Sequence, residues 1–235
     1  MFINNYLLDK AMRKKAIISY FEGDYKKIQR KCIDYGFEVE IYNNSESNIG
    51  KKVKNIGVDA YDKFFYIVEN YNELPNIILF LTDNIYKCQK KIRRFEYILE
   101  NHYLLYDRPG IITGHISKIN EQDLNFKINE YKNITLVKST IRPFHKWFNH
   151  FINGSINPSE IYICKKSIFA LTNDLIHTHS KDFYLKLLKH IEEHSFFGHD
   201  SEVPHYFERS YISLFSKNDP KLLYHDFRRY KNFKK

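Results

Sequence analysis

Residues 55–84 read NIGVDAYDKFFYIVENYNELPNIILFLTDN, and the class of fold follows from them. An Asn-x-Gly turn comes first. Tyr61, Phe64, Phe65 and Val68 then recur at i, i+3, i+4 and i+7, the spacing of an amphipathic helix. Leu74-Pro75 breaks that helix. Ile77-Ile78-Leu79-Phe80-Leu81 is a short apolar run of β-formers, which predicts a buried strand. It ends on Thr82-Asp83-Asn84. Polar tips at the carboxyl ends of buried strands are where open α/β sheets place ligands.

Upstream, the same pitch repeats. Residues 16–20 predict a strand, 25–35 a helix closed by Gly36, and 37–42 a second strand. Strand, helix, strand, helix, strand means βαβ crossovers and a parallel sheet. Three polar tips would then share one edge: residues 20–24, 43–47 and 82–84.

Downstream, residues 86–103 predict a helix with Lys87, Lys90, Lys91, Arg93 and Arg94 on one side. A solvated face and a phosphate-contacting face are both open for it. Residues 134–137 and 161–164 predict strands, 142–151 a helix carrying Trp147, and 165–169 a helix start. Residues 180–194 predict a helix with Phe183, Leu187, Leu188 and Ile191 inward, and Pro204 opens another.

Composition sets the bounds. The chain has 235 residues, 43% of them hydrophobic and 17% aromatic, which excludes a disordered polymer. Only 8 Gly and 6 Pro argue against a loop-rich all-β protein. Cys32, Cys88 and Cys164 form no disulfide framework and fit a reducing, cytoplasmic setting. The opening residues lack a signal-peptide pattern, and no apolar run is long enough to span a bilayer. The formal net charge of +9 favours anionic partners without choosing among nucleic acid, lipid and phosphorylated ligands.

The order of these features resembles the GT-A type nucleotide-sugar glycosyltransferases. In that superfamily a polar loop follows the first strand, here Ser19 to Asp24. The second strand ends in a tip that holds base and ribose, here Asn43-Asn44-Ser45. An Asn-x-Gly turn leads a helix, here Asn55-Ile56-Gly57, and a later strand ends in an acidic metal-binding motif, here near Asp83. Downstream, Asn153-Gly154-Ser155, IYICKKSIF and EVPHYFER resemble its small-residue loop, basic strand and acidic helix start. More narrowly, Asn-Ile-Gly followed by Tyr-x-x-x-x-Leu-Pro-Asn and the late His-Tyr-x-Glu-Arg resemble a domain family of unknown function seen in fungi and large viruses. The resemblance spans about residues 16–216.

It implies an α/β fold: a GT-A-like, Rossmann-like, mostly parallel sheet flanked by helices, with a helical C-terminal region. One domain over 1–216 would be followed by a basic aromatic tail over 217–235. A nucleotide-sugar donor would meet Ser19, Tyr20, Asn43, Asn44, Ser45, Asn55, Gly57 and Asp83. A glycan or lipid-linked acceptor would receive the sugar. The superfamily motif usually has two carboxylates; here Leu81 stands in the first place and only Asp83 remains. One carboxylate with phosphate oxygens can still hold Mn or Mg.

The chemistry needs a neutralised leaving diphosphate and a base on the acceptor hydroxyl. Asp200, Glu202, His205, Glu208 and Arg209 are dense enough to supply both, with Glu202 expected as the base and Asp200 in reserve. The 11 histidines, including the His190/His194 pair, are expected on the surface rather than on a metal. Tyr224, Phe227, Tyr230 and Phe233, interleaved with Arg228, Arg229, Lys231, Lys234 and Lys235, suit a helix on an anionic membrane, an RNA-stacking tail or a helix packed on the domain. The runner-up functions are nucleic-acid binding, which lacks a recognised motif, and a non-catalytic relative of the fold.

Overall fold

The computed structural model describes residues 12–152, 161–195 and 201–225. Its centre is a seven-stranded mixed sheet ordered β11-β5-β10-β4-β1-β2-β3. These strands are β1 (Lys14–Tyr20), β2 (Glu38–Asn43), β3 (Lys51–Lys52), β4 (Ile77–Thr82), β5 (Ile111–Ile112), β10 (Phe169–Thr172) and β11 (Leu223–Tyr224). Between β5 and β10 lie two short pairs, β6 (Ser117–Lys118) with β9 (Tyr162–Ile163) and β7 (Glu130–Tyr131) with β8 (Ile134–Thr135). The helices are α1 (Tyr25–Asp34), α2 (Val58–Glu69), α3 (Gln89–Asn101), α4 (Glu121–Leu124), α5 (Phe144–Phe151), α6 (Asn173–Ile176), α7 (Lys181–His194) and α8 (Val203–Ser216).

β1 runs parallel to both β2 and β4, as the strand–helix pitch requires. Side chains alternate across the sheet, and both of its faces are covered. Ile17, Ile78 and Phe80 meet one core with α2, α5, α7 and α8. Ala16, Ile18, Ile77, Leu79 and Leu81 meet a second core with α1 and α3. Burial on both faces is why β1 and β4 read as continuous apolar runs rather than alternating ones. Trp147 sits in the first core, 4.9 Å from Phe207 and donating Nε1–H to His190 Nε2 at 2.7 Å.

Two expectations are corrected. Residues 165–169 do not start a helix: Lys166 and Ser167 have φ of 90° and 55°, and the chain reverses there. Phe169–Thr172 then enter the sheet as β10, antiparallel to β4 and β5, where all four are buried. The sequence shows an apolar run after a basic turn, which suits either element. The second correction concerns residues 217–225. Leu223 and Tyr224 pair with Ile111 and Ile112, so the first part of the expected tail is the sheet's outer strand. The remainder of that tail, 226–235, lies outside the described residues. Among the described residues no helix is long and apolar enough to cross a membrane.

Candidate functional site

The chain order reverses at β1. From β1 it winds outward through β2 and β3, then returns to the other side of β1 at β4. The crevice outside the carboxyl ends of such neighbouring strands is the usual ligand position in an open α/β sheet. The register sets Tyr20 beside Asn43 and Ser19 beside Thr82. Asn44 N–H bonds Tyr20 O at 2.9 Å, and Asp83 N–H bonds Ser19 O at 3.0 Å. Ser19, Tyr20, Asn43, Asn44 and Asp83 therefore gather at one edge.

Most of these groups hold the edge itself in shape. Asp83 Oδ2 accepts the N–H groups of Phe21, Glu22 and Gly23 at 2.7, 2.9 and 2.6 Å. Gly23 is needed there, since a Cβ would stand 2.6 Å from Asp83 Cγ. Asn43 Oδ1 accepts Ser45 N–H at 2.7 Å, while its amide donates to Ser47 O at 2.6 Å. Asn55 is exposed before α2. Gly57 adopts φ 63°, and a Cβ on it would lie 2.3 Å from Ile191 Cγ2. Val58 follows at φ 52°, a strained conformation for a β-branched residue.

Behind this edge is a group that the sequence reading missed. Asp62 of α2 is 0% exposed and accepts Asn44 Nδ2–H at 2.7 Å. Burial pushes its carboxyl up to about 7, although Ser19, Asn44 and then Lys63 oppose the rise. Asp62 Oδ1 and Asn44 Oδ1 are buried without a hydrogen-bond partner. Lys63, also buried, turns to Asp59. The signal was present: α2 is apolar nearly all round, so its Asp62 and Lys63 had to be buried with it.

At the tip of β4 a lysine bonds the side chains on either side of Asp83, the residue expected to hold a metal. Lys91 Nζ donates to Thr82 Oγ1 at 2.9 Å and to Asn84 Oδ1. Burial pulls its ammonium below the ordinary value, opposed by the negative charges of Asp59 and Glu208. The residues around Asp83 do not fit the divalent cation that the resemblance implies. One Asp83 oxygen is taken by three N–H donors, and an ammonium already sits on the neighbouring oxygens. Magnesium-type ions demand a nearly ideal set of oxygen ligands.

The C-terminal set divides. Glu202 was expected in a loop reaching an acceptor; instead it is 0% exposed. Its oxygens accept Ile128 N–H at 2.9 Å and Ser139 N–H at 3.0 Å, with Arg142 Nε at 2.8 Å. A carboxylate so engaged joins segments and is not available as a base. Arg209 is also buried, 3.5 Å from Asp123 and 3.4 Å above the Phe126 ring. His205 packs its ring on Tyr131 at 5.1 Å. Glu208 is different: half-buried, it accepts Lys166 N–H, and its charge reaches Lys91. Asp200 and the 153–155 loop lie outside the described residues.

His190, Glu193 and His194 could bring three ligand atoms within 4.8 Å of one another. These two histidines are core residues, not the surface residues expected. Their lone pairs are committed: His190 Nε2 accepts Trp147 Nε1–H, and His194 Nε2 lies 3.3 Å from Thr140 N–H. Burial takes His190 down to about 3, so it stays neutral. A separate cavity of about 250 Å³ is lined by Ile152, His179, Ser213, Leu214 and Lys217, none of them at the sheet edge. Compared with protein families, with curated proteins and with solved structures, the chain matches none.

Proposed function

We propose that the protein is a GT-A-like glycosyltransferase that moves a sugar from a nucleotide-sugar donor to a glycan or lipid-linked acceptor. The supporting observation is the reversal of strand order at β1, with polar groups from β1, β2, β4 and α2 converging on that crevice. In this reading the nucleoside lies over the loop of residues 19–23 and the tip of residues 43–45. Asp62 and Asn44 form the floor, and their unpartnered oxygens suit a ligand bearing hydroxyl or N–H donors. Glu208 takes the role of base, because among the described carboxylates of the C-terminal set it stays partly exposed while Glu202 is buried. Neutralising the leaving diphosphate falls to protein cations rather than to a metal held by Asp83.

The test is a thermal-shift screen of the full chain against uridine, guanosine, adenosine and cytidine diphosphates. A ligand present at 100 times its Kd stabilises the native state by about 2.7 kcal/mol, and at least one nucleotide should raise the melting point by several degrees. No shift with any of the four at millimolar concentration would remove the donor-site reading. Glu208→Gln should keep the nucleotide shift and lower sugar transfer by about 10²-fold.

A further inference from the structure

The carboxyl edge continues beyond β4, and there its charge is positive. Arg94 of α3 is 5% exposed, and among the described residues no carboxylate pairs with it. Its Nη1 reaches Cys164 Sγ at 3.2 Å, and its Nε is buried without a partner. Cys164 offers little compensation, since burial raises its thiol and keeps it neutral. A buried unpaired guanidinium is costly unless something anionic completes it.

Other cations surround this one. Lys90 lies one turn before Arg94 on α3, where i and i+4 share a face. Both charges fall on His115, which burial first and then these two cations hold below its ordinary value. Lys166, on the reversal before β10, acts on both Lys91 and Cys88. Gly114 lets the next segment close against α3, for a Cβ there would stand 2.6 Å from Arg94 Cα. The carboxylates nearby are engaged: Glu208 with Lys166 N–H, Asp123 with Lys165 at 3.0 Å.

We propose that Lys90, Lys91 and Arg94 of α3, with Lys166 of the opposing turn, form a binding site for a phosphoryl anion. A phosphate offers the anionic oxygens that Arg94 lacks, and it can draw Lys91 from the neutral oxygens of Thr82 and Asn84; charge-assisted N–H···O bonds are the strong kind. Which substrate carries the phosphate rests on the glycosyltransferase reading: it is the donor's diphosphate or a phosphate on a lipid-linked acceptor. Lys91 ties the site to Thr82 and Asn84 at the β4 tip, beside the β1 edge, so either can reach it from the same crevice.

Cys88 supplies a reporter. It caps α3 and is partly exposed, while Cys32 and Cys164 are buried. The Lys91 backbone N–H, then that of Lys90 and the charge of Lys166, hold its thiol below the ordinary value. Alkylation of Cys88 in the full chain is measured at low salt with and without inorganic pyrophosphate, each variant against its own anion-free rate. Pyrophosphate should slow the reaction severalfold. Lys90→Ala and Lys166→Ala, both at exposed positions, should each raise the concentration needed by about tenfold, with unchanged melting points. Arg94→Lys should bind less tightly, having lost its fork.

No protection of the wild type, or equal protection of the Lys90→Ala/Lys166→Ala double variant, overturns the site. Competition between uridine diphosphate and pyrophosphate supports it and assigns the anion to the donor; simultaneous binding supports it and assigns the anion to the acceptor. Uridine or guanosine binding without pyrophosphate protection would overturn this site and leave the crevice reading standing. Protection without any nucleoside or nucleotide binding would uphold the site and remove the crevice reading.

Discussion

Glu202 and Asp62 are both carboxylates with 0% exposure, and they organise two different regions. Glu202 receives Ile128 N–H, Ser139 N–H and Arg142, so its charge is matched from several sides. Asp62 receives Asn44 and Ser19, keeps one oxygen unpartnered, and has its neighbouring lysine turned towards Asp59. Desolvating a carboxylate is affordable when donors replace water, and otherwise the group shifts towards its neutral form. The first arrangement joins the 128–142 segment to α8. The second leaves a polar group poised under the sheet edge. Burial alone therefore does not tell the two carboxylates apart; the completeness of their pairing does.

The comparison breaks most visibly at Glu202. Glu202→Gln leaves Arg142 facing an amide and weakens the bonds to both backbone segments. Loss of one partner of a buried pair should cost about 3–5 kcal/mol. The urea midpoint reads this directly, and an unchanged midpoint would mean that Glu202 does not join those segments.

Asp62 should behave in the opposite sense. Its native carboxyl titrates near 7 rather than at the ordinary 3.8, so the folded state binds the proton more tightly. The contribution of Asp62 to stability is then full below pH 4, falls as the pH rises towards 7, and stays level above that. Asp62→Asn removes this slope, gaining roughly 4 kcal/mol over the wild type at pH 8 and little at pH 4. Parallel stability–pH curves for the two proteins would contradict the half-paired state of Asp62.

The frame of the fold was legible because it rests on local periodicity. β1, α1, β2, α2 and β4 lie within a few residues of their sequence-based positions, and Ser180 caps α7 as expected from a helix starting there. What periodicity cannot show is pairing. Phe169–Thr172 could not be read as an antiparallel strand, because direction is set by two left-handed residues and by the neighbours β4 and β5. Nor could spacing tell that Glu202 points inward, since Arg142 and residues 128 and 139 are distant in sequence. The tips of residues 43–45 and 82–84 were located correctly as an edge. The buried Asp62 beneath them was hidden by treating α2 as amphipathic when it is covered on nearly every side.

Asp83 stands between the two regions in character, and its removal should have the smallest effect. It is 7% exposed, and one oxygen takes three N–H groups of a loop that is itself partly exposed. Water can replace some of those bonds once the carboxylate is gone, so the loss is a fraction of three buried hydrogen bonds. Asp83→Ala should cost about 1–2 kcal/mol. The effect should be local: hydrogen exchange at Phe21, Glu22 and Gly23 should accelerate, while the amides of β4 keep their protection. If Asp83 instead acted as a metal ligand, manganese would raise the melting point of the wild type and not of the variant. Equal behaviour of both proteins with manganese, together with faster exchange confined to residues 21–23, is the outcome the geometry requires. Unchanged exchange there would show that the carboxylate does not hold the loop.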